Sequence, residues 1–176
     1  MRPFKMVTSP DPILRQVCEP CEVGDKSLKK IAERMAVTMY KNYGCGIAAP
    51  QVGISKRLVV IDCGDPEDDP DPMFLVNPEI VELKGEPEVG MEGCLSLPGI
   101  QIPIVRHPIA KVRFYDLEGN EHIVESDGLL GRCFQHEIDH LDGKTLFESC
   151  APMDRIKALK DYQIALANGA VPGDVE

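Results

Sequence analysis

His136-Glu137-Ile138-Asp139-His140 is the segment whose residue types and spacing point most directly to chemistry. Histidines at i and i+4 lie one above the other on a helix, close enough to grip one cation. At about 100° per residue, Leu129, Cys133, His136 and His140 share a sector of roughly 60°. Leu130, Phe134, Ile138 and Leu141 form a neighbouring apolar stripe, with Glu137 between the two sets. Arg132, Gln135, Asp139 and Asp142 take the opposite side, so both histidines point inward. Two imidazoles in an apolar sector need partners. A divalent metal supplies one to both, whereas two core histidines satisfied by hydrogen bonds are the bland alternative. Glu137 sits beside the first of them but is rotated away. It can therefore handle the proton of an activated water without being a ligand, as metal-assisted hydrolysis requires.

Two histidines do not complete such a site, because catalytic zinc-type centres generally use three protein ligands and leave one position open. No histidine follows His140, and Glu148 is too near in sequence to act as the distant third ligand of metallopeptidases. Upstream, Glu92-Gly93-Cys94-Leu95-Ser96 places a cysteine in a Gly-flanked, strand-ending context. A lone cysteine is usually a small buried hydrophobe, but the missing ligand favours the thiolate here. Leu129 and Cys133 share the histidine face and should line an apolar pocket beside the metal, suited to an unbranched thioether such as methionine.

The elements that must position these groups follow from periodicity. Leu28, Ile31, Ala32, Met35, Met39 and Tyr40 predict a helix from Ser27, its N-cap, to near Asn42. A second helix spans about Asp127 to Asp142 and stops at Gly143. A third runs from about Asp154 to Ala167 before a Gly- and Pro-containing tail. Leu58–Ile61, Phe74–Val76, Ile80–Leu83 and Ile102–Val105 are strand candidates, Asn77-Pro78 separating the second from the third. A further pair, around Val112 and Ile123, flanks a Gly-containing hairpin loop. Residues 62–72, rich in Asp, Glu and Pro, read as a surface loop. The fold class is α+β, with short antiparallel strands packed around a central helix carrying the His-Glu-x-x-His motif.

Composition narrows the function further. Across 176 residues, 19 Lys and Arg stand against 29 Asp and Glu, a net charge of -10. That sign opposes nucleic-acid binding, which needs cations to displace counterions. No apolar run reaches the ~18–20 residues of a membrane helix, and the charged, Pro-containing N-terminus does not resemble a signal peptide. The expectation is a cytoplasmic protein, with no membrane partner and no direct sequence-specific nucleic acid. The seven cysteines should be reduced thiols, the Cys18/Cys21 pair being incidental.

Three separated stretches, Gly44-Cys45-Gly46-Ile47-Ala48-Ala49-Pro50-Gln51, Glu92-Gly93-Cys94-Leu95-Ser96 and Gln135-His136-Glu137-Ile138-Asp139-His140, together resemble the peptide deformylase family. The resemblance runs from the N-terminal segment to about Phe147. It implies an enzyme that removes the formyl group from the N-terminal methionine of newly made polypeptides. By carry-over at matching positions, Cys94, His136 and His140 hold the metal and Glu137 handles the proton. Gln51 and the Leu95 backbone N–H stabilise the oxyanion, and backbone groups at Cys45, Gly46 and Gly93 pair with the substrate. It also implies one divalent ion, Fe(II) in the cell, with Zn(II), Ni(II) or Co(II) fitting the same donors. Partners would be N-formylmethionyl nascent peptides and, through a C-terminal helix bearing Arg155, Lys157 and Lys160, the ribosome. Residues 1–152 would form the catalytic domain, and 153–176 its C-terminal helix and tail. Two other readings stand beside this one, a metallopeptidase cutting internal peptide bonds and a metal-dependent module without catalysis.

Overall fold

Leu58-Val59-Val60-Ile61 is apolar at every position because the strand it forms is buried on both faces. The computed structural model describes residues 1–175. Among them the strands are β1 (Gly46–Ala48), β2 (Leu58–Ile61), β3 (Met73–Lys84), β4 (Glu88–Cys94), β5 (Leu97–Arg106), β6 (Ile109–Tyr115) and β7 (Glu121–Ser126). The helices are α1 (Ser27–Lys41), α2 (Gly128–Leu141), the single turn α3 (Leu146–Ser149) and α4 (Pro152–Ala167). All strand pairs are antiparallel. One sheet runs β1-β2-β3-β6-β7, and β4 and β5 form a separate two-stranded ribbon.

Strand alternation divides the interior. Val59 and Ile61 join Leu75, Val112 and Phe114 under Phe134, Ile138 and Leu141 of α2. Leu58 and Val60 face the other way, packing with Leu28, Met35 and Met39 of α1. A third cluster seats the ribbon, with Leu97, Ile100, Ile102 and Ile104 of β5 against Leu146, Phe147, Ala158 and Tyr162. The Tyr162 hydroxyl donates to the Ser9 carbonyl at 2.7 Å and ties α4 to the N-terminal segment. The α+β class and the central histidine helix are as the sequence predicts.

Several boundaries differ, each for a local reason. Ser27 is the first helical residue rather than the N-cap, and Asp25 Oδ1 accepts its N–H at 2.8 Å. Phe74–Val76 and Ile80–Leu83 are parts of one strand. Asn77 adopts φ 49°, and the pairing register with β6 shifts between Val76 and Glu79. The Asn77 amide clamps the Cys21 backbone through both its oxygen and its nitrogen, which holds the bulge in the sheet. The turn α3 has no sequence-level forecast. Thr145 and Glu148 form a capping box around it, with the Thr145 N–H donating to Glu148 at 3.0 Å. The polar side of α2 is not a solvent face either. Gln135 is buried and donates to the His107 carbonyl at 2.9 Å, while Asp139 pairs with Arg106.

The close seat of α2 depends on Gly131, where a Cβ would lie 2.6 Å from the Ser126 carbonyl oxygen and 3.3 Å from that of Pro108. Alanine would gain about 1 kcal/mol of helix propensity, but a clash with backbone cannot relax by rotating a side chain. Gly131→Ala should therefore lower stability by about 1–3 kcal/mol, read as a fall in the denaturation midpoint. A midpoint equal to or above that of the unsubstituted chain would contradict this packing account.

Candidate active site

The third donor that α2 lacks arrives from the end of β4. Cys94 closes that strand, and its Sγ lies 3.4 Å from His140 Nε2. One ligand atom each from Cys94, His136 and His140 lies within 4.8 Å of the others, and the two imidazole centroids are 5.2 Å apart. Zinc-type bonds of about 2.0–2.3 Å put adjacent tetrahedral donors roughly 3.3–3.8 Å apart, so this trio fits one divalent ion. The second test of fit is polar satisfaction. His136 directs Nδ1 to Glu92 Oε1 at 2.9 Å, which leaves Nε2 free to ligate. His140 Nδ1 and Glu137 Oε2 are buried with no hydrogen-bond partner.

Glu92 and Cys94 are two residues apart at the end of β4, where the pairing with β5 shifts register, and both reach the histidines of α2. The Glu92 carboxylate also takes Arg106 Nε at 2.8 Å, Arg106 Nη2 at 2.9 Å and Arg132 Nη2 at 2.8 Å. Arg106 Nη1 continues to Asp139 Oδ2 at 2.9 Å, closing a ring between ribbon and helix. Burial would raise the Glu92 carboxyl, but hydrogen bonds from His136 and Arg106 outweigh it and hold the group at about 2. Burial by contrast dominates at Glu137 and pushes its carboxyl up to about 7, even against the opposing His136 charge. His140 is driven well below the ordinary imidazole range by its burial.

A cavity of about 280 Å³ opens over these groups. Cys45 and Gly46 line one wall, Gly93, Cys94 and Leu95 another, and Leu129 and Cys133 a third, with Gln51, His136 and Glu137 also reaching it. His140 lies deeper, 1% exposed. Leu129 is more exposed than an inward-facing position suggests, at 58%, and therefore sits at the rim. Gln51 is fixed by the Ala48 N–H, which donates to its Oε1 at 2.9 Å. Its amide nitrogen points to Ser96 Oγ at 3.1 Å and to Cys94 Sγ at 3.5 Å. Gly46 leaves the room that Glu137 fills, because a Cβ there would stand 2.6 Å from Glu137 Oε1.

Sequence reading assigned no role to Glu92, Arg106, Arg132 or Asp139, or to the tail residues Gly173, Asp174 and Val175, which return to the cavity rim. The two-residue step from Glu92 to Cys94 was a usable signal for the first. Nothing local could have paired it with Arg106. The Asp174 carbonyl accepts the Gly99 N–H at 2.9 Å, a contact no motif encodes. Beside the trio lies a second cysteine cluster, Cys45, Cys63 and Cys133. Hydrogen bonds from Cys133 and Cys63 lower the Cys45 thiol from its ordinary value.

With this geometry in place, similarity to known proteins is informative. The family model described as polypeptide deformylase matches residues 3–156. A peptide deformylase of Hahella chejuensis is 41% identical over 163 residues, covering 93% of this chain and 96% of that protein. One from Carboxydothermus hydrogenoformans is 44% identical over 143 residues, covering 81% and 90%. The crystal structure of a peptide deformylase from Synechococcus elongatus in complex with actinonin superposes with a TM-score of 0.87 at 36% identity, covering 93% of this chain and 89% of that one. That of the Legionella pneumophila enzyme gives 0.85 at 38%, covering 94% and 96%. With its α+β fold, its helix of paired histidines and matches that span most of its length, the chain belongs to the polypeptide deformylase family.

Proposed function

We propose that this chain removes the formyl group from N-formylmethionyl peptides at the floor of the 280 Å³ cavity, with Cys94, His136 and His140 holding one divalent ion. The activity is peptide deformylation, an amide hydrolysis that yields formate and a free N-terminus. The observation that carries the site assignment is the convergence of those three donors beside a buried carboxylate whose Oε2 has no partner. Cleavage of internal peptide bonds loses its support, since the third donor comes from an upstream strand and the relatives are deformylases. A closed four-ligand module has no fourth donor among the described residues.

A divalent ion on this trio supplies Lewis acidity and makes water acidic enough to attack at neutral pH. The chain's own groups do the rest. Glu137 takes the proton of the attacking water on its carboxylate and returns it to the leaving amine. The Gln51 amide and the Leu95 backbone N–H donate to the carbonyl oxygen as its negative charge grows. Backbone groups of Cys45, Gly46 and Gly93 align the peptide as an added strand. Leu129 and Cys133 form the apolar wall against which the methionine side chain packs. Glu92 fixes the ring of His136 and, with Arg106, keeps β4 against α2.

One thiolate and two imidazoles suit Fe(II), Zn(II), Ni(II) and Co(II) alike, and Fe(II) is the ion we assign in the cell, on the family resemblance. In this reading the enzyme works in the cytoplasm, on nascent chains during translation. No helix among the described residues is long and apolar enough to cross a membrane. Residues 1–152 make up the catalytic domain in this reading, and 153–176 its helix and tail, α4 packing on β5. Glu176 lies outside the described residues. Ribosome docking, in this reading, runs through α4. Arg155 donates to the Phe147 carbonyl and Lys157 pairs with Asp161, so the helix offers Lys160 as its free cation among the three.

Three outcomes are expected. Glu137→Gln should lower kcat by about 10²–10⁴-fold in a formate-release assay while elemental analysis still finds one ion per chain. Comparable turnover would remove Glu137 from its role. Glu92→Gln should weaken metal affinity about 10–100-fold in chelator competition. Affinity equal to that of the unsubstituted enzyme would show that the Glu92–His136 bond does not tune the centre. A formyl-Met peptide should be processed at least about tenfold faster than its formyl-Asp counterpart, because a charged group would enter an apolar wall. Equal kcat/KM values would contradict the pocket assignment.

A further inference from the structure

We propose that Cys45, Cys63 and Cys133 form a second cation site, for a thiophilic d10 ion such as Cu(I) or Zn(II), in the wall of the substrate cavity. All three are free, and their sulfurs lie within 4.8 Å of one another. Cys45 Sγ and Cys133 Sγ are 3.4 Å apart. Thiolates about 2.3 Å from a shared zinc ion stand roughly 3.8 Å apart, so ligation needs only small shifts of these side chains. A Cys45–Cys133 disulfide would require its sulfurs to close to about 2.05 Å and would leave the third thiol unused. The trio is therefore better arranged for a shared ion than for a bridge. Soft sulfur donors without a nitrogen or oxygen partner select ions of this type over the harder cations.

The fold builds this trio from three elements. Cys45 immediately precedes β1, and its carbonyl accepts the Asp62 N–H at 2.8 Å, which brings Cys63 beside it just beyond β2. Cys133 comes down from α2. Cys63 is partly exposed and belongs to the acidic 62–72 segment, whose exposed Asp65, Glu67, Asp68, Asp69 and Asp71 make the field near it negative and attractive to cations. Binding replaces thiol protons, which leave to solvent as each sulfur ligates. Because Cys45 and Cys133 also line the substrate cavity, an ion between them occupies the wall that receives the first side chain. Occupancy therefore opposes substrate binding. The site itself stands whichever ion the Cys94 centre carries.

The test is anaerobic titration of enzyme already loaded with its catalytic ion, using Cu(I) and, in a parallel arm, Zn(II). The expected result has the unsubstituted enzyme taking up one equivalent more than Cys63→Ser or Cys63→Ala. It also gains a sulfur-to-Cu(I) ultraviolet absorption that the variants lack, and loses formate release as that equivalent binds. The variants, whose basal formate release reports that they fold, keep their activity across the same range. Equal uptake and equal inhibition in all three would place the ion at the Cys94 centre and overturn the proposal. Recovery of Cys45 and Cys133 as a disulfide from anaerobic protein would overturn it too. Uptake at the trio with formate release unchanged would overturn its position in the cavity wall.

Discussion

Arg106 is a buried cation, and its guanidinium joins the strand that brings the thiol to the helix that brings the imidazoles. It donates twice to Glu92 and once to Asp139, while Glu92 in turn receives His136 Nδ1. With Arg106 only 7% exposed, none of these charges can be left alone cheaply. Removing one partner of a buried pair typically costs about 3–5 kcal/mol, because the other charge stays desolvated. The same network does two things. It closes the β4–β5 ribbon onto α2, and it turns the His136 ring so that Nε2 faces the Cys94 sulfur. Stability and site geometry are here one interaction.

Around that network the two carboxylates are set apart by environment. Glu92 is held ionised at about 2 by hydrogen bonds from His136 and Arg106 despite its burial, whereas Glu137, buried without a partner for Oε2, is raised to about 7. Two glutamates close to the same histidine thereby divide the work, one as a fixed anchor and the other as a group that can trade a proton near neutrality. Gly46 makes this division possible in space, since any side chain at that position would meet the Glu137 carboxylate.

The cavity is assembled from segments far apart in the chain. Cys45 and Gly46 come from the entry into β1, Gly93 to Leu95 from the end of the ribbon, and Leu129 to Glu137 from α2. Backbone-rich walls suit an extended peptide, because main-chain groups are common to every substrate. A side-chain wall at one end suits selection of the first residue alone. Gln51 adds a fixed donor whose orientation is set by the Ala48 N–H, not by solvent.

The sequence alone marked the inward direction of His136 and His140 on α2, the need for a third donor beside them, and Cys94 as the candidate for it, while Leu129 of the same sector sits at the rim. The first follows from helical period, which acts over a few residues, and the other two from ligand chemistry and the family resemblance. It also marked both stretches of α1 and α2 within a residue or two, since their apolar periodicity is long and regular. Tertiary structure alone decided that Arg106 and Glu92 pair across the ribbon, that Asn77 folds onto Cys21 and keeps β3 whole, and that the tail returns to the cavity. It also decided that Cys45, Cys63 and Cys133 meet. Those outcomes depend on strand register and on how helix and sheet are seated. A contact between residues far apart in the chain leaves no trace in local spacing.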